Sequence, residues 1–141
     1  LLHAANLAVV LVTNGTICAA PRARLLPHVD AMNIDLKGWQ EDFYRWVGGD
    51  LGTVRETIEH AVAHGVHVEV TTLIIPGRND SAADMDAEAR WLASLSPEIP
   101  LHISRYFPRH RVSTPPTPIA SIDRLAEIAR RHLRHVHRGN C

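Results

Sequence analysis

Asp35 and Lys37 have residue types and a spacing that could bind a ligand in this chain of 141 residues. They lie two positions apart, so in an extended strand both side chains point to the same face. A carboxylate accepts hydrogen bonds from a ribose, and an ammonium group pairs with an anion. The pair therefore predicts a ligand with a hydroxyl-rich part and a carboxylate. A salt bridge that merely caps the strand end would use the same two residues.

Lys37 also suggests a second chemistry, that of a barrel-type Schiff-base lyase or aldolase with the lysine amine as the nucleophile. Such a lysine needs a lowered pKa so that the amine is neutral. A neighbouring carboxylate favours the charged ammonium instead, so Asp35 argues against this alternative.

Other polar segments follow apolar runs in the same way as Asp35 and Lys37. They are Thr13-Asn14-Gly15, Thr71-Thr72 with the loop Pro76-Gly77-Arg78-Asn79-Asp80, and Ser104-Arg105-Tyr106. Ligands of parallel α/β sheets bind at the carboxyl ends of the strands, so these segments predict one shared pocket. Asn14-Gly15 and Pro76-Gly77 are also strong turn signals, and a purely structural turn remains an alternative for both.

Histidines and cysteines give no clear metal motif. His60 and His64 have helical spacing but are expected on the solvent side of their helix, and His67 with Glu69 is expected near the start of a strand. The two cysteines lie at opposite ends of the sequence, which is neither a disulfide framework nor a CxxC knuckle. We expect Cys18 to be a small buried side chain.

Apolar runs predict the strands that must position these residues. The predicted strands are Leu7–Val12, Ala31–Leu36, Val66–Ile75, Leu101–Tyr106 and Leu133–His137. The first is continuously apolar, as expected for a parallel strand covered on both faces. If a barrel continued before it, this strand would instead be an exposed apolar edge.

Helices are predicted between these strands. Short ones are expected at Arg22–Leu26 and Gln40–Trp46, and longer ones after the capping residues Thr53, Ser81 and Ser121. Alternating strands and helices indicate an α/β fold with a parallel sheet. Because there are too few units for a closed eight-stranded barrel, we expect one domain over residues 1–141 that forms an open sheet or part of a barrel.

Composition excludes several partner classes. Net charge is zero with neutral histidines, so no broad field attracts nucleic acid or an anionic membrane. The longest apolar run is far shorter than a membrane span, and no signal peptide is indicated. The expected location is the cytoplasm.

Four segments, taken in order, resemble radical S-adenosylmethionine (SAM) activating enzymes. They are Val12-Thr13-Asn14-Gly15, Asn33-Ile34-Asp35-Leu36-Lys37-Gly38, Glu69 to Asp80 and His102-Ile103-Ser104-Arg105-Tyr106-Phe107-Pro108. The sequence is most similar to the AmmeMemoRadiSam system radical SAM enzymes, relatives of the pyruvate formate-lyase activating enzyme. The resemblance implies a partial (βα)6 TIM-like barrel, here open at its N-terminal edge strand.

The resemblance also implies an activity and its cofactors. Such enzymes reductively cleave SAM at a [4Fe–4S] cluster, and the 5′-deoxyadenosyl radical that results abstracts a hydrogen atom from the substrate. They require an electron donor and a hydrogen donor, which is a protein or a small molecule. The cluster is held by a CxxxCxxC loop that this chain lacks, so the chain alone is expected to be inactive. A non-catalytic α/β interaction module is the further alternative.

The resemblance assigns roles to individual residues. It implies that SAM is bound by Thr13, Asn14, Asp35, Lys37, Arg105 and Tyr106, with Asp35 near the ribose and Lys37 near the methionyl carboxylate. The substrate loop would contain Pro76, Gly77, Asn79 and Asp80. Two positions depart from the family pattern: Val12 stands where an Asp is common, and Phe107 where a His is common.

Overall fold

The strands form one parallel sheet in which spatial order follows chain order, β1-β2-β3-β4-β5. The computed structural model describes residues 2–110 and 112–141. The strands are β1 (Val10–Thr13), β2 (Ala31–Asp35), β3 (His67–Ile74), β4 (Leu101–Arg105) and β5 (Val136–Gly139). The α-helices are α1 (Ala19–Leu25), α2 (Glu41–Trp46), α3 (Leu51–Ala63), α4 (Ala82–Leu95) and α5 (Ile119–Ala129), with short 3₁₀ turns at His3–Ala5 and Leu26–His28. The predicted α/β fold with parallel βα units is confirmed.

The two faces of the sheet differ in what covers them. On β3, Val68, Val70, Thr72 and Ile74 are buried, whereas the residues between them are half-buried or exposed. Neighbouring strands continue this pattern, with Ile34 on β2 and Leu101 and Ile103 on β4 also fully buried. Right-handed crossovers between strands in sequential order place the helices α1, α3, α4 and α5 on the same side. We call the other side, away from these helices, the open face.

The helix-covered side contains the hydrophobic core and one buried acid. Leu92 and Ala89 of α4 and Ile122 and Leu125 of α5 have no exposed surface. Glu88 of α4 lies among such side chains, where its carboxyl group contacts Thr72 Oγ1 of β3 at 2.5 Å. Burial raises the pKa of Glu88 to about 8, so the carboxyl group is largely protonated at neutral pH.

Helix starts agree only in part with the predicted caps. Ser81 caps α4 as predicted, because its side chain accepts a hydrogen bond from the Asp84 N–H. Thr53 was predicted as the cap of α3, but Asp50 has that role and accepts from the Thr53 N–H. The predicted start of α5 at Ser121 is also wrong, since the helix begins at Ile119 directly after Pro118.

Two strand boundaries and one burial prediction need correction. β1 begins at Val10, not at Leu7, and β5 begins at Val136, not at Leu133. Leu133 is buried by packing although it lies outside the strand. Cys18, expected to be buried, is exposed just before α1.

β1 forms an edge of the sheet and exposes apolar side chains. Val10 and Val12 are 64% and 82% exposed, and both lie on the open face because they pair with Ala31 and Asn33. Strands of parallel sheets are normally covered on both sides. The expectation of a doubly covered first strand is therefore wrong, and the predicted opening at the N-terminal edge strand is what the structure has.

None of the helices in residues 2–110 and 112–141 has the length and apolar character needed to cross a bilayer.

Candidate functional site

The polar strand ends predicted from the sequence lie at one edge of the sheet. Strand register aligns Thr13 with Ile34, Asp35 with Thr71, and Ile74 with Arg105, so the ends of β1, β2, β3 and β4 meet at the carboxyl edge. A cavity of about 370 Å³ opens at this edge. It is lined by Asn14, Thr16, Lys37, Phe43, Tyr44, Val47, Gly48, Gly49, Leu73 and Ile75, and we call it the first cavity.

Asp35 and Lys37 form an ion pair at the first cavity. The Lys37 Nζ atom donates to Asp35 Oδ2 at 2.6 Å, and each side chain keeps about a third of its surface exposed (36% for Lys37 and 33% for Asp35). Their common direction follows from the two-residue period of the strand, as predicted. Both groups are therefore held in place and remain accessible to a ligand.

Tyr44 fixes the backbone beside Lys37. Its hydroxyl oxygen accepts a hydrogen bond from the Lys37 N–H at 3.0 Å. Burial raises the pKa of Tyr44 to about 12, and the bond from Lys37 opposes this only partly. The phenol stays neutral near pH 7, so it positions Lys37 without adding negative charge to the cavity.

α2 provides an apolar wall that the sequence analysis did not assign to the site. Phe43 and Val47 line the first cavity together with Gly48 and Gly49. A side chain on Gly49 would meet the Tyr44 ring at 3.1 Å, and Gly48 has a φ of +76°. The aromatic-bearing stretch followed by two glycines was a usable signal, because small residues let a backbone approach a ligand closely.

Asn14 and Thr13 point to different sides of the sheet. Asn14 lines the first cavity. Thr13 pairs with the fully buried Ile34, so its side chain lies on the helix-covered side, where its hydroxyl accepts from the Gly15 N–H at 3.1 Å. Thr13 thus shapes the turn that presents Asn14.

The predicted substrate loop is held by a buried asparagine. Asn79 is 6% exposed, and its amide donates to the carbonyl oxygens of Lys37 and Leu73, both at 2.8 Å. Its Oδ1 atom accepts from the Ile75 N–H at 2.7 Å. Asn79 therefore joins the ends of β2 and β3. Asp80 accepts from the Gly77 N–H at 3.0 Å and closes the turn that follows Pro76.

Arg105 and Tyr106 lie at a neighbouring cavity of about 500 Å³, the second cavity. Its lining residues are Leu73, Arg105, Tyr106, Phe107, Arg109 and Asn140. Leu73 lines both cavities, so the two are adjacent along the carboxyl edge. Of the predicted residues, the structure brings Asn14 and Lys37 together in the first cavity and Arg105 and Tyr106 together in the second.

A polar cluster occupies the middle of the open face. His102 Nε2 lies 2.7 Å from Glu69 Oε2, and the His102 ring stacks on His137 at 5.1 Å between ring centroids. The hydrogen bond from His102 lowers the pKa of Glu69 below its ordinary value, although burial opposes this. No group of three or more potential ligands within the described residues is arranged to hold a metal ion.

The two cysteines cannot together hold an iron–sulfur cluster. Cys18 follows β1 and Cys141 follows β5, which are opposite edges of the sheet. Four strand spacings separate those edges, or roughly 19 Å. A [4Fe–4S] cluster needs several thiolates around one small volume. The residues of this chain therefore do not fit the cluster.

Comparison with known proteins gives one related sequence. No protein-family model matches the chain. It is 41% identical over 135 residues to the uncharacterized protein MJ0808 of Methanocaldococcus jannaschii. The match covers 93% of this chain but only 40% of that protein, so the chain spans about two fifths of the length of this relative.

Solved structures share the fold over nearly the whole chain. A domain of pyruvate-formate lyase-activating enzyme from Bacteroides vulgatus matches 98% of this chain and 84% of its own length, with a TM-score of 0.80 and 15% identity. A radical SAM methyltransferase from Sphaerobacter thermophilus matches 95% of this chain and 41% of its own, with a TM-score of 0.75 and 19% identity. The chain shares the fold of these two enzymes.

A third solved structure agrees with this assignment. TYW1 with a lysine-pyruvate adduct bound matches 93% of this chain and 43% of its own, with a TM-score of 0.62 and 18% identity. Sequence identities this low establish the shared fold and leave the chemistry to the residues of the site.

Proposed function

We propose that this chain is the SAM-binding part of a radical SAM enzyme. The observation that carries the proposal is the Asp35–Lys37 pair, held at 2.6 Å beside a cavity at the carboxyl edge of a radical SAM-type fold. A cavity of about 370 Å³ lies within the range of small-molecule sites. SAM combines a polyol with an amino-acid carboxylate, which are the two groups that this pair suits.

Each residue at the edge has a role in this proposal. Asp35 accepts hydrogen bonds from the ribose hydroxyls, and Lys37 pairs with the methionyl carboxylate. Asn14 offers an amide to the polar part of the ligand, and Thr13 holds the turn that presents it. The adenine lies toward Leu73, where Arg105 and Tyr106 border the second cavity.

The cluster belongs to a different part of the enzyme in this proposal. A cluster held there would supply the electron for reductive cleavage of SAM. Its thiolates would come from a longer protein, in keeping with the 40% share of the related sequence that this chain spans. The chain alone is then inactive. Within this class we place the enzyme with the glycyl-radical activases, nearest the AmmeMemoRadiSam type.

Lys37 provides a direct test of SAM binding on the chain itself, because it is the only lysine in the sequence. Reductive methylation with ¹³C-formaldehyde would give one side-chain signal besides that of the N-terminal amine. We expect SAM to shift the Lys37 signal in a saturable manner and to leave the N-terminal signal unchanged. A Lys37 signal that stays unchanged up to the solubility limit of SAM would contradict the proposal.

Activity requires a second experiment on the longer protein. The chain would be expressed with its upstream coding region and reconstituted anaerobically with iron, sulfide and a reductant. We expect 5′-deoxyadenosine from SAM in this preparation and none from the chain alone. Absence of 5′-deoxyadenosine from a preparation with a spectroscopically intact cluster would rule out the radical SAM activity.

A Schiff-base function of Lys37 is the second candidate. Lys37 lines the first cavity, and one structure with this fold contains a lysine-pyruvate adduct. In such a reaction the amine attacks the carbonyl carbon of a 2-oxo acid, and water leaves to form an imine. Asp35 competes with such a substrate, because its carboxylate already accepts a hydrogen bond from the Lys37 Nζ atom at 2.6 Å.

Pyruvate and cyanoborohydride distinguish the two functions. Hydride from cyanoborohydride reduces an imine to a stable secondary amine, which mass spectrometry of peptides locates at Lys37. We expect Lys37 to be modified no faster than the N-terminal amine. Rapid and selective modification of Lys37 would favour the Schiff-base function over SAM binding.

A further inference from the structure

The second cavity has a positively charged lining without a matching carboxylate. Arg105 and Arg109 both line it, and the other lining residues are Leu73, Tyr106, Phe107 and Asn140. Among the described residues no Asp or Glu lines this cavity. The chain as a whole has no net charge, so two guanidinium groups in one concave site form a local excess of positive charge.

Two contacts hold the Arg105 guanidinium in place, and a third holds the Arg105 backbone. Its Nε atom donates to the Thr117 carbonyl oxygen at 2.6 Å, and its Cζ atom lies 4.7 Å from the centroid of the Phe107 ring. The Asn140 amide donates to the Arg105 carbonyl oxygen at 3.2 Å. Neither terminal nitrogen of Arg105 has a hydrogen-bond partner among residues 2–110 and 112–141. A guanidinium held in this way presents a fixed pair of donors.

Six other arginines pair with carboxylates, and all of them except the buried Arg22 lie at the surface. They are Arg22, Arg45, Arg90, Arg130, Arg134 and Arg138. Arg105 and Arg109 have no such partner within the described part of the chain, yet they converge on one cavity at the edge where ligands of this fold class bind. An external anion would balance the positive charge of these two guanidinium groups.

We propose that the second cavity binds a compact oxyanion, the carboxylate or phosphate of a small-molecule substrate. Arg105 would bind two oxygens through its terminal nitrogens, and Arg109 would close over the anion from the exposed side. Arg105 thereby has a role beyond bordering the adenine. That the anion belongs to the substrate rests on the proposed function, because Leu73 joins this cavity to the predicted SAM site. Anion binding itself does not depend on that function.

Amide NMR of the chain with inorganic phosphate and with acetate tests the proposal. Each titration would be made at constant ionic strength against chloride. We expect saturable shifts centred on Arg105–Arg109 and Asn140, and about a tenfold loss of affinity in Arg109→Gln, an exposed position whose replacement leaves the core intact. Tighter binding of phosphate than of acetate would identify a phosphorylated substrate, and the reverse order a carboxylate substrate.

Matched variants separate this site from general charge effects. Arg24→Gln removes an exposed arginine on α1, near the opposite edge of the sheet, and should leave both affinities unchanged. Arg105→Lys keeps the charge but loses the paired donors, so it should also weaken phosphate binding. Shifts that chloride reproduces, or equal losses in Arg24→Gln and Arg109→Gln, would overturn the proposal.

The Lys37 label distinguishes failure of this inference from failure of the proposed function. If anions bind at Arg105 but the Lys37 signal does not respond to SAM, the SAM proposal is wrong and the anion site is supported. A response of Lys37 to SAM without any anion binding would remove only the anion site.

Discussion

The Nζ atom of Lys37 lies 2.6 Å from the Oδ2 atom of Asp35, and each side chain keeps about a third of its surface exposed (36% for Lys37 and 33% for Asp35). Tyr44 holds the Lys37 backbone from one side, and Asn79 holds its carbonyl oxygen from the other. The pair is therefore preorganised before any ligand arrives, so little conformational entropy is lost when a ligand binds.

Replacing Lys37 should weaken SAM binding strongly. Lys37→Met removes a charged hydrogen bond, which contributes about 1.5–3 kcal/mol and corresponds to roughly a 10- to 100-fold loss of affinity. Isothermal titration calorimetry of Lys37→Met and of the unmodified chain with SAM would measure this loss of affinity. Arg24→Gln is the control and should bind SAM as the unmodified chain does. Equal SAM affinity of Lys37→Met and the control would contradict the assigned role.

Glu88 should make stability fall as pH rises. Its folded-state pKa of about 8 lies above the ordinary value of 4.5, so the folded chain binds the proton more tightly than the unfolded chain. This contribution is fully present below about pH 4.5, declines as pH rises toward 8, and is absent above that pH. The size is on the order of a few kcal/mol.

A comparison with Glu88→Gln isolates this effect. Glutamine keeps an oxygen for the Thr72 hydroxyl but does not titrate, so the variant should gain stability relative to the unmodified chain between pH 5 and pH 9. Urea unfolding followed by circular dichroism gives the free energies. Glu41→Gln changes an exposed position on α2. Its free energy of unfolding should vary with pH in the same way as that of the unmodified chain. If the difference in free energy of unfolding between Glu88→Gln and the unmodified chain stayed constant from pH 5 to pH 9, Glu88 would not have the raised pKa.

Asn79 should matter for stability more than its position in a loop suggests. Asn79→Ala leaves one N–H and two carbonyl oxygens without their partners, and we expect a loss of about 2–4 kcal/mol in the free energy of unfolding. Asp80→Ala, which removes only the bond from the Gly77 N–H, should cost about 1 kcal/mol or less. Equal losses in the two variants would refute the assignment of Asn79 as the residue that joins β2 and β3.

The exposed edge of β1 should cause self-association of the isolated chain. Val12 is 82% exposed beside unpaired backbone groups, a combination that invites strand pairing between molecules. We expect Val12→Lys to reduce the concentration-dependent increase in sedimentation coefficient. Ile119→Lys changes an exposed apolar residue of α5, away from β1, and serves as the control. If Ile119→Lys reduced association as much as Val12→Lys, the β1 edge would not be the contact.

Apolar patterning predicted the fold because the three central strands carry enough buried residues to stand out. Ile34, Val70 and Ile103 each sit in such a run. Boundaries were harder, since a buried residue need not belong to the strand beside it, as Leu133 illustrates. The cap of α3 was misplaced because Thr53 and Asp50 are both good cap residues, and only the backbone decides which side chain meets a free N–H.

The site could be predicted where it depends on strand ends and could not where it depends on loop paths. The joint position of Asp35 and Lys37 follows from the period of a strand. The first cavity also needs α2 to fold back beside β2, and no local pattern specifies that path. Arg109 and Asn140 are thirty-one positions apart and meet only because β4 and β5 are neighbours.

The sequential order of the strands gives the sheet a property of repetitive assemblies. Each βα unit pairs only with the units immediately before and after it in the chain. A further unit could therefore be added at the β1 side without breaking any existing pairing, and it would extend the sheet by one strand. Growth by addition at one end would allow the same carboxyl edge to serve proteins of different lengths.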